Sequence, residues 1–129
     1  MTEILQRGGE EWERIESPLR ELDGTLDAFA KRHGMELTKN FAGWPERSLT
    51  WTDGVERKIQ VLLGDEQSLR FNVWIMACED RADGRFWKRK ALANGLPLAV
   101  LREKLPDWLD EGQRLLTSWS AEDLVRATG

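Results

Sequence analysis

The chain has 129 residues, a net charge of −4 and a hydrophobic fraction of 40%, the length of one domain able to bury about two-thirds of its unfolded surface. That charge disfavours nonspecific adhesion to nucleic acid, the apolar runs fall far short of the roughly 20 residues of a membrane span, and the single cysteine excludes an internal disulfide framework. Residues 1–11 are charged and hold Gly8-Gly9 without the apolar core of a signal peptide, so the expected location is cytoplasmic.

Residues 1–16 read as a weakly ordered or partly helical leader, and residues 17–129 as a single domain. Ser17-Pro18 combines an N-cap residue with proline at a first helical position, and predicts a helix starting there. Leu19, Leu22, Leu26 and Phe29 mark its buried stripe, and Gly34 after His33 supplies its end. Gly24 costs about 1 kcal/mol relative to alanine and leaves room for a second start at Asp23.

Extended segments follow at residues 35–40, 48–52, 55–63, 69–79 and 85–92, with a loop at 41–47. Asp53-Gly54 is the strongest hairpin signal, 64–68 and 80–84 are turns, and Asn94-Gly95 closes the sheet region. The C-terminal third is helical, with Pro97 suited to a first position and Leu98, Leu101, Leu105, Trp108, Leu109, Leu115, Leu116 and Trp119 as its apolar face. Pro106 is expected to kink or divide that helix, and Ser120 with Asp123 to start a final short one. The order helix, strands, helix predicts an α+β fold: an antiparallel four- to five-stranded meander with helices packed on one face.

The two faces of residues 69–79 differ. Leu69, Phe71, Val73, Ile75 and Ala77 are all apolar, whereas Arg70, Asn72, Trp74, Met76 and Cys78 are mixed. Pairing Leu63 with Leu69, Val61 with Phe71 and Ile59 with Val73 builds a core face. On the other face it sets Leu62 by Arg70, Gln60 by Asn72, Glu56 by Met76 and Lys58 by Trp74, the last a cation–π contact. A three-residue connection at Asp53-Gly54 puts Leu49 and Trp51 in the core, and a two-residue turn puts them on the mixed face; the former is favoured because it buries both. The last strand carries Arg85, Trp87 and Arg89 on one side and Phe86, Lys88 and Lys90 on the other, so its faces are not told apart.

Catalytic constellations are sparse. His33 sits at a helix end, where the dipole favours its cation, and Cys78 reads as a buried thiol. No second histidine or cysteine supports zinc, residues 79–84 lack calcium-loop spacing, and no glycine fingerprint cradles phosphate. No cofactor is expected, and the balance leans away from an enzyme. Seven tryptophans and no tyrosine leave the aromatic residues as the main clue. Trp74, Trp87 and loop residue Trp44, with Arg70, Arg85 and Arg89, have the composition of a protein-binding hot spot. The expected function is a small non-catalytic interaction module that binds a protein partner or self-associates as a homodimer through Lys58, Gln60, Arg70, Asn72, Trp74, Met76, Arg85, Trp87, Arg89 and Trp44. One alternative is a small apolar ligand held between the sheet and the C-terminal helix by Trp51, Trp108 and Met76. The other is weak nucleic-acid binding through the basic strip 85–90.

Overall fold

The computed structural model describes residues 9–40, 46–65, 67–81 and 84–119. Helix α1 (Gly9–His33) begins well before Ser17, so Pro18 lies inside it and does not open it. The run 10–16 explains the difference: four glutamates and an arginine are good helix formers, and the Glu16 carboxylate meets Arg20 at 2.7 Å across the proline. Gly24 interrupts nothing. The end falls where expected, with Gly34 at φ +68° and the Met35 amide donating to the Ala30 carbonyl at 2.8 Å, a Schellman closure.

Five strands follow, β1 (Glu36–Asn40), β2 (Glu46–Asp53), β3 (Val55–Asp65), β4 (Arg70–Arg81) and β5 (Gly84–Pro97), and then α2 (Leu98–Ser118). They form one open antiparallel sheet in the order β1-β2-β3-β4-β5. The fold is therefore α+β, as the pattern of elements predicts. Helix α1 packs on β1 and β2, while α2 packs on β3, β4 and β5, and the helices touch each other. Between them and the sheet lie Leu19, Leu22, Leu26 and Phe29 with Leu49, Ile59, Val61, Phe71, Val73, Ile75, Leu101, Leu105 and Leu109. Gly112 lets α2 come close, since a Cβ there would lie 3.1 Å from Ile75 Cγ2 and 3.3 Å from Ile59 Cδ1. No described helix is long and apolar enough to cross a membrane.

The β2–β3 hairpin takes the three-residue form, with Leu49 opposite Ile59 and Trp51 opposite Arg57, so Leu49 is buried and Trp51 half-buried against the core. The β3–β4 pairing is displaced by two residues from expectation: Leu63 faces Phe71, Val61 faces Val73 and Ile59 faces Ile75. The turn is wider than a simple return from Leu63 to Leu69. Asp65 accepts hydrogen bonds from the amides of Gln67 and Ser68 at 2.9 and 3.4 Å, a bulge separates Leu63 from Asp65, and Leu69 sits in the turn at φ +51°. A slip of two preserves which side chains share a face.

β5 does not end near Leu92 but continues through Asn94-Gly95 to Pro97. Leu92 is an extra residue between Ala91, opposite Trp74, and Ala93, opposite Val73; Asn94 and Gly95 together span the place of Asn72. Side chains stitch these bulges. Asn72 Oδ1 accepts from the Gly95 amide and Asn94 Oδ1 from Trp74 Nε1, both at 2.9 Å. Pro97 is extended at ψ 151° and caps α2, one residue before the expected first turn. Pro106 lies within α2 without dividing it. The expected helix start at Ser120 lies outside the described residues.

Candidate functional site

Alternation turns Glu36 and Thr38 of β1, Glu46, Ser48 and Thr50 of β2, Glu56, Lys58 and Gln60 of β3, Asn72, Trp74, Met76 and Cys78 of β4, and Trp87, Arg89 and Ala91 of β5 away from the helices. Seven of the residues expected to bind, Lys58, Gln60, Asn72, Trp74, Met76, Trp87 and Arg89, thus share one face. Arg70 is exposed at the start of β4, beside Asp65. The Arg85 side chain and Trp44 lie outside the described residues.

This face has two halves. On β1 and β2 it carries the acids Glu36 and Glu46 with hydroxyl side chains, while Lys39 of β1 belongs by alternation to the helical side, where it meets Asp23 at 3.5 Å, and borders this half only at the sheet edge. On β4 and β5 it carries half-buried Trp74, Met76 and Trp87 with Arg70 and Arg89, and no described acidic side chain. β3 joins the halves with Glu56 and Lys58. Lys58 stands opposite Met76, not Trp74, and its ammonium lies 5.5 Å from the centre of the Trp87 ring. That contact is a cation–π pair on this face.

The acidic half is concave. A hollow of about 390 Å³ is lined by Glu36, Thr38, Lys39, Glu46, Ser48, Thr50, Glu56 and Lys58. Ser48 is only 4% exposed at its floor. Gln60 donates to Glu46 Oε2 at 2.6 Å, fixing that carboxylate toward the middle of the sheet. A second hollow of about 490 Å³ adjoins it through Glu36, Thr50 and Glu56 and ends at Gly34 and Met35. Of these acids the sequence pattern places only Glu56 on this face, although extending the alternation of β2 back from Leu49 puts Glu46 there as well.

The same extension accounts for Arg47, which falls in the expected loop 41–47 but faces the helices. It is 1% exposed and bidentate with Asp23 of α1, Nε to Oδ1 at 2.6 Å and Nη2 to Oδ2 at 3.3 Å. Arg57, also buried, donates to the carbonyls of Leu116, Trp119 (2.7 Å) and Asp53 (2.9 Å), closing the C-terminus of α2 where a cation is favoured by the dipole. Both arginines fasten helices to the sheet.

The basic strip is split by strand alternation. Lys88 opposes Ala77 and Lys90 opposes Ile75 on the helical side, with the Lys88 ammonium 4.5 Å from the Trp119 ring. Lys90 adds a smaller influence to that of Arg114, whose hydrogen bond chiefly holds the Glu111 carboxyl below its ordinary range. Trp87 and Arg89 stay on the open face. Trp51 and Trp108 pack toward the core, whereas Met76 is on the opposite face, so these three do not line one cavity. His33 precedes β1 and its ring lies tilted against Phe29, centroids 4.3 Å apart, while Cys78 is buried in β4, three strand spacings or about 14 Å across the sheet, so the two do not form a pair. Among the described residues no three His, Cys, Asp or Glu side chains gather to hold a metal. Comparison with protein-family models, with curated proteins and with solved structures finds no match for this chain.

Proposed function

We propose that this chain is an interaction module that recognises protein through the open face of its sheet. The observation that carries the reading is the adjacency of Trp74, Met76 and Trp87 on β4 and β5, flanked by Lys58 and Arg89, on the face opposite both helices. Tryptophan, methionine and arginine are enriched at protein interfaces. The hydrogen bond from Trp74 to Asn94 and the stacking of Lys58 on Trp87 hold both indoles in place before any partner arrives, which lowers the ordering cost of binding. The geometry favours neither alternative, since the basic strip is divided between faces and the residues expected to hold a ligand are divided likewise.

The test is Met76→Asp, which puts a charge at the centre of the patch on a half-buried side chain. The variant should keep the wild-type melting temperature within a few degrees and lose the proteins, further copies of its own chain included, that immobilised wild type retains from a native extract. A stably folded variant that retains the same set refutes the proposal.

A further inference from the structure

Resting on that reading, we infer that the partner seated on the open face is a second copy of this chain, related by a two-fold axis that runs along β3. The charge map selects both the partner and the axis. Acids occupy the β1–β2 half and bases the β4–β5 half, and Glu36 and Arg89 lie in one cross-strand row through Thr50, Lys58 and Met76. Both are exposed and make no ion pair among the described residues. Within one chain they stand four strand spacings apart, about 19 Å, and do not meet.

A two-fold axis along the central strand lays β1 over the β5 of the second copy and β2 over its β4. Glu36 then faces Arg89, and Glu46 faces the end of β4 that carries Arg70, each twice in the assembly. The usual rotation of roughly 30° between packed sheets shifts these partners by about one row and leaves the halves matched. Turning the axis across the strands would set β1 on β1 and acid on acid. The same superposition puts Trp74 and Met76 over Ser48 and Thr50, so the apolar side chains of one copy lie over the hollow of the other. The size is adequate. Five strands at about 4.8 Å and some nine residues at about 3.3 Å give a face near 700 Å² per copy, or about 1,400 Å² in total, within the range of specific interfaces.

Sedimentation velocity at low salt on wild type, Glu36→Arg, Arg89→Glu and an equimolar mixture of the two variants tests the assignment. Wild type should be a dimer, and each variant alone should associate at least tenfold more weakly, because like charges then oppose each other twice. The mixture should restore dimers. In it the introduced arginine faces the introduced glutamate, and native Arg89 faces native Glu36. A folded wild type that stays monomeric up to about 1 mM, a dimer indifferent to both substitutions, or a mixture that stays as weak as its components overturns the inference. If wild type is monomeric yet its retained proteins depend on Met76, the second copy is excluded while the protein-binding reading stands.

Discussion

Asp23→Ala should lower the stability of this domain by about 3 kcal/mol. Arg47 is 1% exposed and meets the Asp23 carboxylate through two nitrogens, at 2.6 and 3.3 Å. Removing one partner of a buried pair typically costs 3–5 kcal/mol, because the other charge is left in a poorly solvating place. The lower figure applies because the guanidinium keeps the Glu46 carbonyl at 3.2 Å. Unfolding entropy of roughly 2.1 cal/mol/K per residue gives about 0.27 kcal/mol/K for the whole chain, so the midpoint of a circular-dichroism melt should fall by about 11 °C. Lys39→Ala is the internal control. Its ammonium reaches Asp23 at 3.5 Å but is half-exposed, and such pairs contribute less than about 1 kcal/mol. Replacing the whole pair, Asp23→Leu with Arg47→Met, should recover most of the loss, since apolar groups of similar size remove the desolvation cost together with the attraction. A drop below about 4 °C in Asp23→Ala, the size of a surface pair, would refute the reasoning.

Two further outcomes follow from the β3–β4 turn and its neighbour. Hydrogen bonds from the Ser68 side chain and the Gln67 amide hold the Asp65 carboxyl below its ordinary value. A depressed folded value stabilises above the unfolded one, near 3.9, and is lost as pH falls through the folded one. The gap in urea midpoint between wild type and Asp65→Asn should therefore narrow below about pH 4; a gap of constant size from pH 7 to pH 2 contradicts the assignment. Gly64→Ala would bring a Cβ to 2.8 Å from both terminal atoms of Asn72, which is held by the Gly95 amide. Overpacking of this kind costs about 1–3 kcal/mol, and a variant as stable as wild type in urea would show that Asn72 turns aside freely.

Most of the architecture was legible because alternation depends only on parity. Phe71, Val73, Ile75 and Ala77 are buried as expected, and their neighbours on β3 are still Ile59, Val61 and Leu63, although each pairing is two residues away from expectation. What failed depends on side chains acting at a distance from the pattern. The Asp65 turn sets the slip, Asn72 and Asn94 carry β5 past the glycine that reads as a stop, and the run of glutamates before Pro18 extends α1 past a proline that reads as a start. The two faces of β5 were indistinguishable, because each holds one aromatic residue and two cations. Pairing with Ala77 and Ile75 resolves them by sending Lys88 and Lys90 to the helical side, where Lys88 covers Trp119.

The character of the candidate surface comes from strand order, which periodicity does not contain. Parity within each strand, joined by the pairing registers, puts Glu36, Glu46, Trp74, Trp87 and Arg89 on one face; parity alone does not say which of them are neighbours. In a meander the chain crosses the sheet once, so position along the sequence becomes position across the face. The acids of this face come early and its bases late, and the sheet therefore keeps them apart at its two edges. A topology that returned the last strand beside the first would bring Glu36 and Arg89 to within one strand spacing, about 4.8 Å, and let them neutralise each other inside one molecule. Here the separation leaves both without an ion pair among the described residues, and a surface polarised in this way is complementary to itself under one rotation and repulsive under the other. Salt should therefore weaken the inferred dimer, as it screens exposed charges over roughly 10 Å at 0.1 M, without abolishing it where Trp74 and Met76 supply apolar contact.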